Sequence, residues 1–263
     1  IASAWRILAK SRERLGNPRQ AALDLEKGLS LCETAPAEEL TQTYEQLAGA
    51  LERAGDHAGA ERALKEAASR GLATDSMNIE RARLLADAGR ASEALALLPA
   101  DASRDDADGL DVRGVALAQT GRTAEARQAF ERALGKDPHN AVVMRHLAML
   151  CLREKDAAAA KGWFEKALAV LPGQPSALTG LGLAQAALGD EPSAYESWTK
   201  ALAADPRQYD ALYNRAVLAG RLGRTKEARQ GLERFVATAP TGSYAEKIAE
   251  ARRLLQALRA GRS

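Results

Sequence analysis

The sequence of 263 residues is poor in the groups that chemistry usually needs. It has three histidines, His57, His139 and His146, with no His-Glu-x-x-His and no partner at ligand spacing. Its two cysteines, Cys32 and Cys151, are too few for a disulfide framework and too far apart for a short metal motif. Gly180-Leu181-Gly182 is no phosphate loop, because it falls inside a helical pattern with no strand before it. The acidic cluster Asp101, Asp105, Asp106 and Asp108 lacks the Gly and closing Glu of an EF-hand loop. No catalytic residue, cofactor or metal is therefore expected. No run of 18 apolar residues exists, so no helix is expected to cross a bilayer and the chain reads as soluble, its compartment unspecified. Charge of one sign is lacking too: 37 basic and 35 acidic side chains are interspersed, which argues against a nucleic-acid groove. Ile1 follows no initiator Met or leader, so the sequence reads as a piece of a longer product.

What is abundant is alanine. Aromatics make up only 4% of a chain that is 46% hydrophobic, and a core of small, helix-favouring residues points to closely packed helices. The phrases RALGKDPHN, KALAVLPGQ and KALAADPRQ recur, and Pro138, Pro172, Pro206 and Pro240 stand 34 residues apart each time. A fixed period in that range marks stacked supersecondary units. Gly16, Gly55, Gly89, Gly121, Gly189 and Gly223 continue the frame, with Lys155 where one more Gly is expected. Seven units follow, with first helices starting near residues 2, 41, 75, 107, 141, 175 and 209, each broken at its Gly and resumed about three residues later. Lys155 is accordingly expected to hold the left-handed backbone that Gly adopts freely.

Within a unit the apolar residues fall on one stripe per helix. Met144, Leu147, Ala148 and Cys151 follow i, i+3, i+4, i+7, and Ala160, Phe164 and Ala167 answer on the second helix. Leu178, Leu181, Gly182, Ala194, Trp198 and Ala201 repeat the scheme. Trp5, Leu8, Ala9, Ala21 and Leu25 open it, while Arg113 and Arg215 stand where Leu is usual. On these residues the chain resembles the tetratricopeptide repeat family over residues 2 to 240. The resemblance implies an all-α fold, a right-handed α-solenoid of tandem helix-turn-helix hairpins. The expected organisation is an array over 1–240 and a capping helix and tail over 241–263, with Tyr244, Ile248, Ala251, Leu255 and Leu258 on its buried stripe. About five extra residues around CETAPAEEL lengthen the first unit. Pro99 shortens the third, and the junction at 99–106 is a candidate hinge.

The resemblance also implies a function: non-enzymatic binding of a peptide or partner protein in the concave groove lined by positions 2, 5, 9, 12 and 13 of each first helix. Units one to three put charge there, including Arg6, Lys10, Arg14, Glu45, Glu52, Arg53, Arg83 and Asp87. Units four to six put Val115, Ala118, Val142, Met149, Leu152, Leu183 and Ala186 there, a second apolar stripe expected to be surplus to the core. A clamp for a C-terminal carboxylate is not expected, because Glu80 stands where a cation is needed. The sequence also resembles the ends of repeat regions fused behind bacterial enzyme domains, sulfatase-like hydrolases among them. A regulatory or substrate-presenting tail of a larger enzyme is therefore the alternative. Self-association through an uncapped N-terminal edge is a further expectation.

Overall fold

The recurrent turn explains the architecture. In each of the seven hairpins the residue after the turn donates its N–H to the carbonyl five residues back, from Asn17 to Arg12 through Asp156 to Cys151 and Arg224 to Ala219, at 2.8–2.9 Å. This is the Schellman closure of a helix C-terminus, and it needs a left-handed residue just before the donor. Glycine supplies it six times with φ between 72° and 82°; Lys155 supplies it once with φ 64°, as the register requires. The donor then often starts the next helix. Asp56, Asp156 and Asp190 each accept from the N–H three residues on, at 2.8, 3.0 and 3.2 Å, so one residue closes one helix and caps the next.

The computed structural model describes residues 2–32, 34–99 and 106–260, and among them all regular structure is helical. The hairpins are α1 (Ala2–Arg14) with α2 (Pro18–Leu31), α3 (Ala37–Arg53) with α4 (His57–Ser69), α5 (Asp75–Asp87) with α6 (Ala91–Leu97), and α7 (Ala107–Gln119) with α8 (Thr123–Lys136). They continue as α9 (Ala141–Arg153) with α10 (Ala157–Val170), α11 (Pro175–Ala187) with α12 (Glu191–Ala204), and α13 (Tyr209–Arg221) with α14 (Thr225–Thr238), followed by α15 (Thr241–Ala260). The fold is an α-solenoid of tandem hairpins. Six first helices begin where the 34-residue frame puts them. The exception is α3, which begins at Ala37 rather than near 41 and has 17 residues where the others have 13. The inserted residues therefore form one extra helical turn behind Pro36, whose extended backbone ends the preceding loop.

Contacts divide the chain into two compact units, residues 1–136 and 137–263. In the first, Leu25, Tyr44, Leu47 and Leu64 share one core, and Leu85, Ala94, Leu98, Val112 and Ala116 share another. That second cluster joins α5, α6 and α7, so the helices on either side of the 99–106 junction belong to one core; residues 100–105, with Asp101 and Asp105, lie outside the described residues. The seven-residue α6 stops before Pro99, as a proline requires.

In the second unit, Ala148, Cys151, Phe164 and Leu181 form one core, and Trp198, Leu212, Phe235, Ile248, Ala251 and Leu255 another. Small residues let the helices approach. A Cβ on Gly114 would stand 2.5 Å from Phe130, and one on Gly182 would strike the Trp198 indole, whose Nε1 donates to the Thr179 carbonyl at 3.1 Å. Cys151 is fully buried on the core stripe, as its position indicated. The last joint gathers aromatics in a chain that has few. Tyr213 and Tyr244 flank Phe235 at centroid distances of 5.2 and 5.8 Å, and Tyr209 meets Tyr244 at 5.6 Å, fixing α15 through its buried stripe.

Candidate functional site

First helices of adjacent hairpins touch at α1–α3 and α5–α7 in the first unit and at α9–α11 and α11–α13 in the second, so their equivalent positions line up as rows there. In the first unit the row is charged and partly self-neutralised. Arg53 pairs with Glu13, Arg83 with Glu80, and Arg81 with Glu61 at 3.2 Å. Arg6 is half-buried, Lys10 and Arg83 are exposed, and Thr74 donates to Glu45 at 3.2 Å. Ion pairs of this exposure contribute little to stability but give a surface a charge pattern a partner can read. Val115 and Ala118 on α7 are not open to a partner in the manner expected: Val115 packs against the α5–α7 core and Ala118 is only 9% exposed.

The second unit carries the apolar row. On α9, Val142 and Met149 are 41% and 40% exposed, whereas Leu152 is half-buried against Phe164 and its neighbours. On α11, Leu183 and Ala186 are half-buried against the core of the last two hairpins. The second stripe is thus shared with the core rather than surplus to it. The reason is the alanine-rich first stripe: small side chains leave gaps that residues one position round the helix lean into.

Two further members belong to the row. Val217 and Gly220 on α13 stand 34 residues after Leu183 and Ala186, so positions 9 and 12 of three successive hairpins read Met149/Leu152, Leu183/Ala186 and Val217/Gly220. Side chains shrink toward the C-terminus, and the row opens there into a cleft of about 340 Å³ between α13, α14 and α15. Its wall is apolar, with Val217, Gly220, Leu232, Leu254 and Leu258, and Arg221 stands at the rim, bonded to Glu191 at 2.5 Å. The 34-residue register was sufficient to find Val217 and Gly220, but not the cleft, which depends on how α15 lies.

Where the first turn of α13 meets the start of α15, Asp210 accepts from the Tyr244 hydroxyl at 3.2 Å and from Lys247 at 2.5 Å. Burial first, then the Asp210 carboxylate, pushes the Tyr244 phenol up to about 12. Among the described residues no three His, Cys, Asp or Glu side chains are grouped as a metal would need, and no helix is long and apolar enough to cross a membrane.

The pattern described as "Tetratricopeptide repeat" matches residues 117–181 and again 197–230. The chain carries tetratricopeptide repeats. No curated protein matches it in sequence. Among solved structures, this tetratricopeptide protein is similar to a repeat protein from Parabacteroides merdae, with a TM-score of 0.72 and 15% identity over 98% of both chains. It is similar also to a chain of the APC/C hetero-tetramer Cut9-Hcn1, with a TM-score of 0.74 and 14% identity over 94% of this chain, and it spans about half, 48%, of that chain's length. PilW, a type IV pilus biogenesis factor, matches at 0.66 and 19% identity over 80% of this chain and 96% of its own. These likenesses show the fold. Tetratricopeptide proteins are in general non-catalytic interaction scaffolds, and the fold is consistent with that role.

Proposed function

We propose that this tetratricopeptide protein is a non-enzymatic scaffold that holds a peptide segment of a partner along the first helices of residues 137–263. The observation that carries the reading is the tapering apolar row, Met149/Leu152 to Leu183/Ala186 to Val217/Gly220, which ends in an apolar cleft. Exposed Val142 and Met149 offer area at one end, Met being adaptable to irregular surfaces, and the cleft offers room for one large side chain at the other. Flanking Arg153 and Arg221 favour a segment with acidic residues beside its apolar anchors. Arg6, Lys10 and Arg83 extend a charged surface over the first helices of residues 1–136 that selects partners by charge rather than apolar anchoring.

The test is selection of binding peptides from a random displayed library on the 263-residue chain, followed by affinity measurement on variants. Met149→Glu and Val217→Glu should each weaken the selected peptides at least tenfold while leaving helicity intact. Peptides that bind both variants as they bind the parent would sink the assignment.

A further inference from the structure

The loop between α10 and α11 breaks a rule that its sister loops keep. Where Val170 and Leu171 stand, the 34-residue frame puts Lys136 and Asp137 one hairpin earlier and Ala204 and Asp205 one hairpin later. Those aspartates organise their turns. Asp205 accepts from the Arg207 N–H at 2.9 Å and from the Gln208 side chain at 3.0 Å, and Asp137 accepts from the His139 N–H at 3.3 Å. Leu171 accepts no such bond, although its backbone matches that of Asp205: φ −126° and ψ 85° against −141° and 107°, each N–H donating four residues back at 2.9 Å. Gly173, with φ 77°, turns the chain instead. The backbone at Leu171 thus has no need of an apolar residue, and leucine there forgoes turn bonds while two apolar side chains stand in solvent: Val170 is 40% and Leu171 49% exposed. A sequence that breaks local preference without gain to the fold does so at functional positions. Hairpins precede and follow this one in the sequence, so the exposure is not that of an array end.

Helix α10 extends the patch. Trp163, Lys166 and Val170 lie at i, i+3, i+7 on one face, and Trp163 stands where the two following hairpins have Ser197 and Gly231. Trp163 is half-buried against the core shared by α9, α10 and α11, and the Lys166 ammonium lies 4.0 Å from the centre of an indole ring of this residue. Lys161 and Lys200 are paired with Glu165 and Glu196, but among the described residues no acidic side chain pairs with Lys166. Size and surroundings say what fits. The loops on either side are polar, with His139 and Asn140 before and Asp205 and Arg207 after, so a lipid surface would meet apolar residues on one loop alone. Two aliphatic side chains beside a half-covered indole suit one anchoring residue, and the uncompensated ammonium favours an acid next to it. Open space where a Cβ of Gly173 would stand leaves room for a chain to cross the turn.

We propose that Trp163, Val170 and Leu171 form an anchor site for a short acidic segment of a partner protein. The segment seats one large apolar side chain on the Val170–Leu171 pair and sets a carboxylate against Lys166. The site is separate from the apolar row on the first helices and does not rest on that reading.

The test selects short random segments, displayed on phage, on the 263-residue chain carrying Met149→Glu, which takes the apolar row out of play. The pool is depleted on the same chain with Val170→Lys and Leu171→Asp added, the residues that the preceding loop has at 136 and 137. Retained segments should carry a single large apolar residue beside Asp or Glu. As labelled peptides they should bind the parent at least tenfold more tightly than the chain with the exchanged loop, lose at least fivefold on Lys166→Glu, weaken as salt is added, and change less than twofold on Met149→Glu. The exchanged loop alters only exposed positions, so that chain should melt no lower than the parent, and its loss of binding is then no loss of fold. Retained segments without acidic residues, binding indifferent to the exchanged loop, or a pool in which no segment distinguishes the two chains overturns the proposal. So does flotation of the parent, but not of the exchanged-loop chain, with phosphatidylserine vesicles, or a dimer of the parent that the exchange disperses in sedimentation, since the occupant would then be a lipid surface or a second copy.

Discussion

Replacing Lys155 with glycine should make the protein more stable, and the structure gives the size. Lys155 holds φ 64° in a turn whose other six versions are glycines. Its N–H donates to Leu152 at 3.1 Å and the next N–H closes on Cys151 at 2.9 Å, bonds that glycine keeps. Its side chain is exposed, with no ion pair among the described residues, so the substitution removes backbone strain and little else. A non-glycine residue in the left-handed region costs about 1–2 kcal/mol. The added freedom of glycine in the unfolded chain offsets about 0.5–1 kcal/mol of that relief. The net gain is about 0.5–1 kcal/mol, a rise of roughly 1–4 °C in Tm for a chain of this size. The reciprocal change is the control. Gly189 has φ 82° with open space where a Cβ would stand, so Gly189→Lys meets only the backbone penalty and should lower stability by about 1 kcal/mol. Thermal melts of parent, Lys155→Gly, Gly189→Lys and the double variant suffice, with the double variant near the parent. A Lys155→Gly protein that melts below its parent would refute the reasoning.

Gly114→Ala drives a methyl into the Phe130 ring and should cost about 1–3 kcal/mol in chemical denaturation, with part recovered by Phe130→Leu in the same chain. Met149→Glu should stay within about 0.5 kcal/mol of the parent, whereas Leu147→Glu, at a fully buried position, should abolish cooperative melting. The Asp190 carboxylate is held below its ordinary range, chiefly by the Ser193 side chain and then by its N–H. Its contribution to stability is therefore intact above pH 3.8 and lost as pH falls below it, so Asp190→Asn should flatten the acid limb of a Tm-versus-pH curve. Tyr244 has the opposite sign: its raised phenol stabilises the fold below pH 10, and that stability fades between pH 10 and about 12. Tyr244→Phe should shift the alkaline limb of the melt and remove one of the late-titrating phenols from an ultraviolet titration.

Much of the fold could be read from residue order because each hairpin repeats one local problem. A Schellman turn needs one left-handed residue, so Lys155 could be assigned that backbone from its register alone. Met144, Leu147, Ala148 and Cys151 marked the buried stripe of α9, Leu178 and Leu181 that of α11, and Tyr244, Ile248, Ala251, Leu255 and the half-buried Leu258 that of α15. The groove was less legible. Periodicity tells which helix face is apolar, but how far Leu152, Leu183 and Ala186 lean into the core depends on gaps left by alanines on neighbouring helices, a tertiary quantity. The cleft beside Val217 depends on the path of α15, which kinks at Tyr244 with φ −124°, and nothing in the 34-residue frame specifies that angle.

The long helix α3 shows how such a chain tolerates a change of length. A loop insertion would alter how the hairpins on either side meet, whereas a nearly whole turn added at a helix start advances the chain by about 5–6 Å and returns every later side chain to almost the same azimuth. Insertions of three or four residues at the open end of a first helix are therefore close to neutral moves. Insertions of two rotate the helix by about half a circle and exchange its buried and exposed faces. Length variation among arrays built this way should come in steps of one helical turn. A tag, label or extra recognition turn grafted ahead of Leu40 can be designed by the same arithmetic, without touching the rows that lie beyond it.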